Sequence, residues 1–264
     1  MTRSDVSAQI IALEGRLKQC PLVRTLGVRP NFFDYDEPER SLIRKAPKIY
    51  YPSSFYAELF NTLGKPTFPS CDSYRCAQDK IKQTALFHLA GISHPLTRVF
   101  YGRRQKRTIL DHFGLPLIAK VARGSARGRG VFLIRSRDEL DEYCQVPEPA
   151  YIQEYLPIDR DMRVVVIGKK VRHAYWRTGA PGDFRNNVSA GGRIELDAVP
   201  REAHRLALYA AERCRWDDVG LDICEYKGDY FVLEGNMKYG REGFSKAGID
   251  YFEMMTDLIR NGEI

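Results

Sequence analysis

The sequence predicts an α+β protein. Two antiparallel hairpins carry that expectation: residues 162–177 (MRVVVIGKKVRHAYWR), turning at Gly168-Lys169-Lys170, and residues 219–236 (VGLDICEYKGDYFVLEGN), turning at Lys227-Gly228-Asp229. Amphipathic helical stretches are mixed among such hairpins, which favours α+β lobes over a doubly wound sheet. With 264 residues, 44% hydrophobic and 11% aromatic, the chain can fill one large domain or two to three small lobes.

The elements follow in order. Val6, Ile10, Leu13 and Leu17 recur at helical spacing, predicting a surface helix over residues 5–19. Pro21, Pro30, Pro38, Pro47 and Pro52 divide residues 20–53 into short pieces, with 48–52 strand-like. Residues 53–64 open on serine and close on glycine, as a capped helix does. Residues 66–70 are extended. Ala77, Ile81, Ala85 and Leu89 share one face of a helix over 73–92. Strands are expected at 97–100, 116–122, 130–136 and 151–156, and helices at 103–114, 137–145 and 202–215.

Composition narrows the class. The formal charge of +7 favours an anionic partner. Six cysteines without a C-x-x-C pair argue against a zinc or thioredoxin-type site. The first fifteen residues carry Asp5 and only a short apolar run, unlike a signal peptide, and no run approaches the ~18 apolar residues of a membrane span. A cytoplasmic, reduced protein is expected.

Three constellations carry chemistry. The stretch 119–134 (AKVARGSARGRGVFLI) sets a glycine-rich, arginine-rich loop between two strands. Gly124, Ser125, Gly128 and Gly130 would let backbone N–H groups approach an anion, although an exposed basic hairpin without a ligand has the same composition. Lys120 sits mid-strand among apolar residues, where its ammonium needs an anion unless it lies on a solvent face. Asp222 on one strand and Glu234 and Asn236 on its hairpin partner offer hard oxygen ligands suited to Mg²⁺, or else a solvated strand face. Residues 183–192 (DFRNNVSAGG) add Arg185, Asn186, Asn187 and Ser189 in a polar loop.

Each signal is weak alone; their order is specific. Lys80 in a helix, Lys120 and its glycine hairpin, QEYLP (153–157), D-x-R-V-V-V-I-G (161–168), Arg177, GDFRNNV (182–188), GLDI (220–223) and VLEGN (232–236) follow one another. This arrangement resembles the ATP-grasp superfamily, and within it the RimK-type glutamate ligases, from about residue 50 onwards. The resemblance implies two α+β lobes gripping ATP and a short N-terminal lobe without a clear βαβ start, with boundaries at 1–75, 76–157 and 158–264. It implies that Lys80 and Lys120 contact ATP phosphates, that the loop from Gly124 to Gly130 covers the nucleotide, and that Gln153, Glu154, Tyr155 and Leu156 hold adenine. Asp161 joins these cofactor-binding residues. Asp222, Glu234 and Asn236 match Mg²⁺ ligands, with Mn²⁺ as an alternative ion, and Arg177, Arg185 and Asn187 match contacts to phosphate and the acyl intermediate.

The implied reaction phosphorylates a carboxylate with ATP and lets an amine displace the phosphate. Phosphoryl transfer depends on positioning and charge neutralisation, which lysines, arginines and Mg²⁺ supply. The expected partners are small-molecule or peptidyl carboxylates and amines, or an acidic protein on the basic face; nucleic acid and membrane are not expected, and a homo-oligomer is left open. Two positions depart from the family pattern: Ala190 stands where arginine is usual, and Tyr239 where proline is. They motivate the alternative of an ATP-binding module or phosphotransferase without ligase activity.

Overall fold

The computed structural model describes residues 10–76, 78–124, 130–146, 148–180 and 192–264. Among these, the strands form three sheets. The first holds β1 (Ile10–Ala12), β2 (Val23–Thr25), β3 (Ile49–Tyr50) and β4 (Thr67–Phe68), all parallel in the order β2-β1-β3-β4. This corrects two expectations. Residues 10–12 are a strand, not part of a surface helix, and the described part of the N-terminal region is built on parallel strands. The reason is burial: Ile11, Ala12 and Leu13 are consecutive and fully buried, as in a strand covered on both faces and unlike one stripe of a surface helix.

Between β2 and β3 runs α1 (Glu37–Lys45), in a region where the prolines predict only short pieces. The Asp36 side chain accepts from Glu39 N–H while the Glu39 side chain accepts from Asp36 N–H. Pro38 lies in the first turn, where no intrahelical donor is needed, so it starts a helix instead of interrupting one. Next comes α2 (Ser54–Thr62). The single helix expected over 73–92 is two: α3 (Cys71–Arg75) and α4 (Lys80–Ala90). Gln78 has a positive φ of 60° at the break, and Asp79 caps α4 by accepting from Lys82 N–H at 3.0 Å. The break makes Lys80 the first residue of a helix.

The second sheet is antiparallel, β5 (Thr97–Phe100), β6 (Leu117–Lys120), β7 (Val131–Ile134) and β8 (Ala150–Glu154), ordered β5-β8-β6-β7. It packs with α5 (Gly102–Lys106) and α6 (Arg137–Tyr143) around Phe100, Ile109, Leu117 and Ile152. The helix expected over 103–114 is shorter, since α5 gives way to a 3₁₀ turn at Ile109–Asp111.

The third sheet runs β11-β10-β9-β12-β13 through β9 (Arg160–Ile167), β10 (Lys170–Thr178), β11 (Arg193–Glu195), β12 (Asp218–Tyr226) and β13 (Asp229–Asn236). Its central strand is covered on both sides. Val164 and Val166 face α7 (Arg201–Cys214) and Phe87 of α4, whereas Val165 and Ile167 face α9 (Tyr251–Arg260), which follows α8 (Glu242–Lys246). Two buried faces explain an uninterrupted V-V-V-I run. Leu17, Cys20 and Val23 join the same cluster as α9, so the N-terminal sheet is packed onto this one. No described helix is long and apolar enough to cross a membrane.

One contact sets the end of β13. Gln83 of α4 donates to the Gly235 carbonyl at 2.8 Å and accepts from its N–H at 2.9 Å. The Trp216 ring lies against the same glycine, so that a Cβ there would come within 2.5 Å of its Cζ3. Gly235→Ala is therefore expected to destabilise the protein by about 1–3 kcal/mol through overpacking. It should also displace the neighbouring Glu234 and Asn236. Urea unfolding of the purified variant checks the loss of stability.

Candidate active site

The site is assembled from the N-terminus of α4, the C-terminal end of β6 and the paired ends of β12 and β13. All four residues of β6 are buried, and Lys120 is only 8% exposed. The solvent-face alternative for this lysine therefore falls. The Tyr143 hydroxyl holds its backbone by donating to the Lys120 carbonyl at 2.8 Å, and its ammonium lies 5.9 Å from the Tyr151 ring centre. Burial pushes the Lys120 pKa down to about 8; the Glu234 carboxylate opposes this, and the Lys80 ammonium adds to it. Two lysines are thus held near one carboxylate, an arrangement that favours arrival of further negative charge.

Lys80 lies 3.6 Å from Glu234 Oε2. Its helix is tied to the root of the glycine-rich loop. Lys80 N–H donates to the Ala122 carbonyl at 3.0 Å, Gly124 N–H to the Gln78 carbonyl at 3.3 Å, and Arg123 Nε pairs with Asp79 at 3.1 Å. Val121 N–H donates to the Gly130 carbonyl at 2.7 Å, closing the loop at its base. Gly124 and Gly130 both have positive φ, 68° and 73°, which glycine adopts without a Cβ clash. Ser125 and Gly128 lie outside the described residues.

At the acidic end, Asp222 pairs with Glu234 across the β12–β13 hairpin, and Gly220 with Asn236. Asn236 Nδ2 donates to Asp222 Oδ2 at 3.2 Å, leaving its amide oxygen as an acceptor. Asp222 also receives Arg163 Nε at 2.5 Å and Arg177 Nη2 at 3.0 Å. Arg177 in turn places Nε 2.7 Å from Asp161 Oδ1. Asp161 and Asp222 thus alternate with Arg177 and Arg163 in one buried chain of charges. Burial would raise the Asp222 pKa, but Arg163 and Arg177 outweigh it and hold this carboxyl below the ordinary range; burial keeps Asp161 above it.

The chain of charges brings together three expected site residues, Asp161, Arg177 and Asp222. It adds Arg163, which is not among the expected site residues. The signal was present in D-x-R, because residues two apart on a strand share a face. Glu234, the Asn236 amide oxygen and Asp222 are hard oxygen donors gathered at one sheet end, a set whose chemistry fits a divalent cation. Among the described residues no cluster of three or more His, Cys, Asp or Glu is suited to a metal, so a cation here would rely on the amide oxygen or on oxygens of a bound nucleotide.

Of the stretch expected at adenine, Gln153 is buried with Nε2 on Thr97 Oγ1 at 2.9 Å, and Glu154 exchanges bonds with Leu96. Tyr155 and Leu156 follow the end of β8, between the second and third sheets. Arg185, Asn187 and Ala190 lie outside the described residues.

A RimK-like ATP-grasp domain matches residues 77–259. The chain belongs to the RimK-like ATP-grasp family. It is 29% identical over 216 residues to a ribosomal protein bS6–L-glutamate ligase of Escherichia fergusonii, covering 77% of this chain and 72% of the relative. A probable alpha-L-glutamate ligase of Citrobacter koseri is 28% identical over 225 residues, 81% of this chain and 75% of that one. The ATP-grasp ligase PsnB, solved with minimal precursor, Mg and ADP, superposes with a TM-score of 0.71 at 17% identity, covering 97% and 98% of the two chains. This RimK-like protein is accordingly an ATP-dependent carboxylate–amine ligase. The alternative of a non-ligase module is not favoured.

The RimK-like chain also explains its departure at Tyr239. The Tyr239 hydroxyl donates to Asp218 Oδ1 at 2.5 Å, and Tyr51 of the N-terminal region donates to Asp218 Oδ2 at 2.6 Å. Arg16 stacks on the Tyr239 ring, 4.4 Å from its centre. A tyrosine here joins Tyr51 on one carboxylate, which a proline has no hydroxyl to do.

Proposed function

We propose that this ligase uses ATP and Mg²⁺ to couple an amino acid, glutamate as in the named relatives, to a carboxylate of a peptide or protein. The carrying observation is the convergence of Lys80 and Lys120 with Glu234 at one end of the third sheet. In this reading the two ammonium groups meet ATP phosphates, and the loop between Gly124 and Gly130 covers them. Tyr155 and Leu156 present backbone groups to adenine. Glu234 and Asn236 would hold Mg²⁺ with Asp222, and the ion when bound neutralises phosphate oxygens.

Arg163 and Asp161 act by fixing Asp222 and Arg177. The substrate carboxylate oxygen takes the γ-phosphoryl group, with ADP leaving. The amine nitrogen then forms a bond to the acyl carbon as the C–O bond to phosphate breaks. Arg177, with Arg185 and Asn187 on the polar loop, is assigned to the charge that develops there. Partition of the acyl phosphate towards amine instead of water requires a covered site, the role given to the loop.

The test is ADP release by purified protein with Mg²⁺, ATP, a pool of peptides and each amino acid in turn, with products read by mass spectrometry. An amide product absent from a Glu234→Ala control is the expected result. ADP release that no amino acid stimulates, with no amide formed, would overturn the proposal.

A further inference from the structure

A cleft opens beside the acidic end of the third sheet. Glu14, Arg16 and Tyr74 line it from the N-terminal part of the chain, and Glu234, Asn236 and Lys238 from β13 and the turn beyond. Arg16 is held firmly: Nε donates to the Tyr251 hydroxyl at 3.0 Å, and its guanidinium lies over the rings of Tyr239 and Tyr251, at 4.4 and 5.3 Å from their centres. Yet its Nη2 is buried with no hydrogen-bond partner. The Tyr74 hydroxyl is likewise buried without a partner; the nearby Ser53 N–H can only donate, so the phenolic proton lacks an acceptor. Buried donors left unpaired are costly, and two in one cleft mark a place for an acceptor from outside the chain.

Charge defines that acceptor's molecule. The cleft presents two carboxylates, Glu14 and Glu234, and two cations, Arg16 and Lys238. A simple anion would face both carboxylates, and a simple amine both cations. A ligand carrying both signs a few ångströms apart satisfies the cleft. We propose that this cleft receives the amine substrate as an α-amino acid, its carboxylate on Arg16 Nη2 and the Tyr74 hydroxyl and its amino group towards Glu14, beside the Glu234–Asn236 end where the acyl phosphate forms. This rests on the ligase reading above and assigns recognition of the α-carboxylate, which the reacting groups do not use.

The experiment is titration calorimetry of the full chain with Mg²⁺ and ADP, using the twenty amino acids singly and then the best binder against its α-carboxamide. The carboxamide should bind at least about tenfold more weakly. Arg16→Gln should weaken the amino acid about 10- to 100-fold, and Tyr74→Phe about threefold to tenfold, with ADP affinity unchanged as the control for folding. Arg16→Lys keeps the charge but lacks Nη2, and should also bind weakly. Failure of every amino acid to bind, or wild-type affinity in both Arg16 variants, would overturn the assignment. The two readings separate cleanly. Amino-acid binding through Arg16 without any amide product sinks the ligase proposal alone, whereas amide formation with KM unaffected in the Arg16 variants sinks this site alone.

Discussion

Lys120→Met is expected to reduce ATP-dependent turnover at least about 100-fold while leaving the folded protein as stable as the wild type, or up to about 2 kcal/mol more stable. The lysine is buried at the end of β6, and desolvation has already pushed its pKa to about 8. Methionine has a similar length and no charge to desolvate, so it fills the space without that penalty. pH separates this account from simple repacking. Because the folded-state value lies below the 10.5 of an unperturbed lysine, the unfolded chain binds more protons between about pH 8 and 10.5. Wild-type stability should therefore gain over that range a contribution that Lys120→Met lacks. The gap between the two should be widest below pH 8 and close towards pH 10.5, as followed by urea unfolding at several pH values. A gap that stays constant would show that Lys120 is not a strained buried cation.

Asp222→Ala should be the most destabilising single change in the site, by about 3–5 kcal/mol. Its carboxylate is shared by Arg163 and Arg177, which are 7% and 4% exposed. Removing it leaves Arg163 without its partner and Arg177 with Asp161 alone. The loss should appear in urea unfolding without nucleotide or metal, because the pairs are present in the chain itself. Combining Asp222→Ala with Arg163→Met should recover part of it, giving a coupling energy of about 1–3 kcal/mol in a double-mutant cycle. A loss below about 1 kcal/mol for the single change would mean the ion pairs contribute little. Activity should fall in both variants, since Asp222 is also bonded to Asn236.

How far these features could be read from the sequence varied with the range of the contacts involved. The hairpins at 160–178 and 218–236 were legible because each pairs strands close in sequence across a short turn. Thr97–Phe100 was legible because Thr97, Val99 and Phe100 all favour a strand. In the N-terminal sheet, residues 48–52 and 66–70 were read as extended and hold β3 and β4, but β1 and β2 were not read, because strands of three residues have no period to detect. Ile10, Leu13 and Leu17 fit a helix equally well, and only the burial of Ile11 through Leu13 decides. The start of α1 could have been read from Asp36 and Glu39, a capping box whose sign was masked by counting Pro38 as a breaker. The split between α3 and α4 was hidden, since Ala77, Ile81, Ala85 and Leu89 continue one stripe across it.

In the candidate site, Lys120 on its strand and the pairing of Asp222 with Glu234 beside Asn236 were legible because strand alternation and hairpin pairing are local, whereas the roles proposed for them come from the family resemblance. Arg163 was missed inside a valine-rich run, where an arginine has no evident partner until β12 is laid beside β9. Arg16 and Tyr74 carry no sequence signal at all: their cleft is closed by residues more than 150 positions away.

The joint at Asp218 bears on how such proteins can be recombined. Tyr51 and Tyr239 reach that carboxylate from opposite ends of the chain, and Arg16 lies over both rings. A chimera that replaces the segment carrying Arg16 and Tyr51 with one lacking them would strand Asp218 beside Tyr239 alone. The reverse graft, onto a body without Tyr239, would leave Tyr51 and Arg16 without that ring and hydroxyl. Exchange of N-terminal segments between relatives should therefore succeed only when Arg16, Tyr51, Asp218 and Tyr239 travel as one cassette.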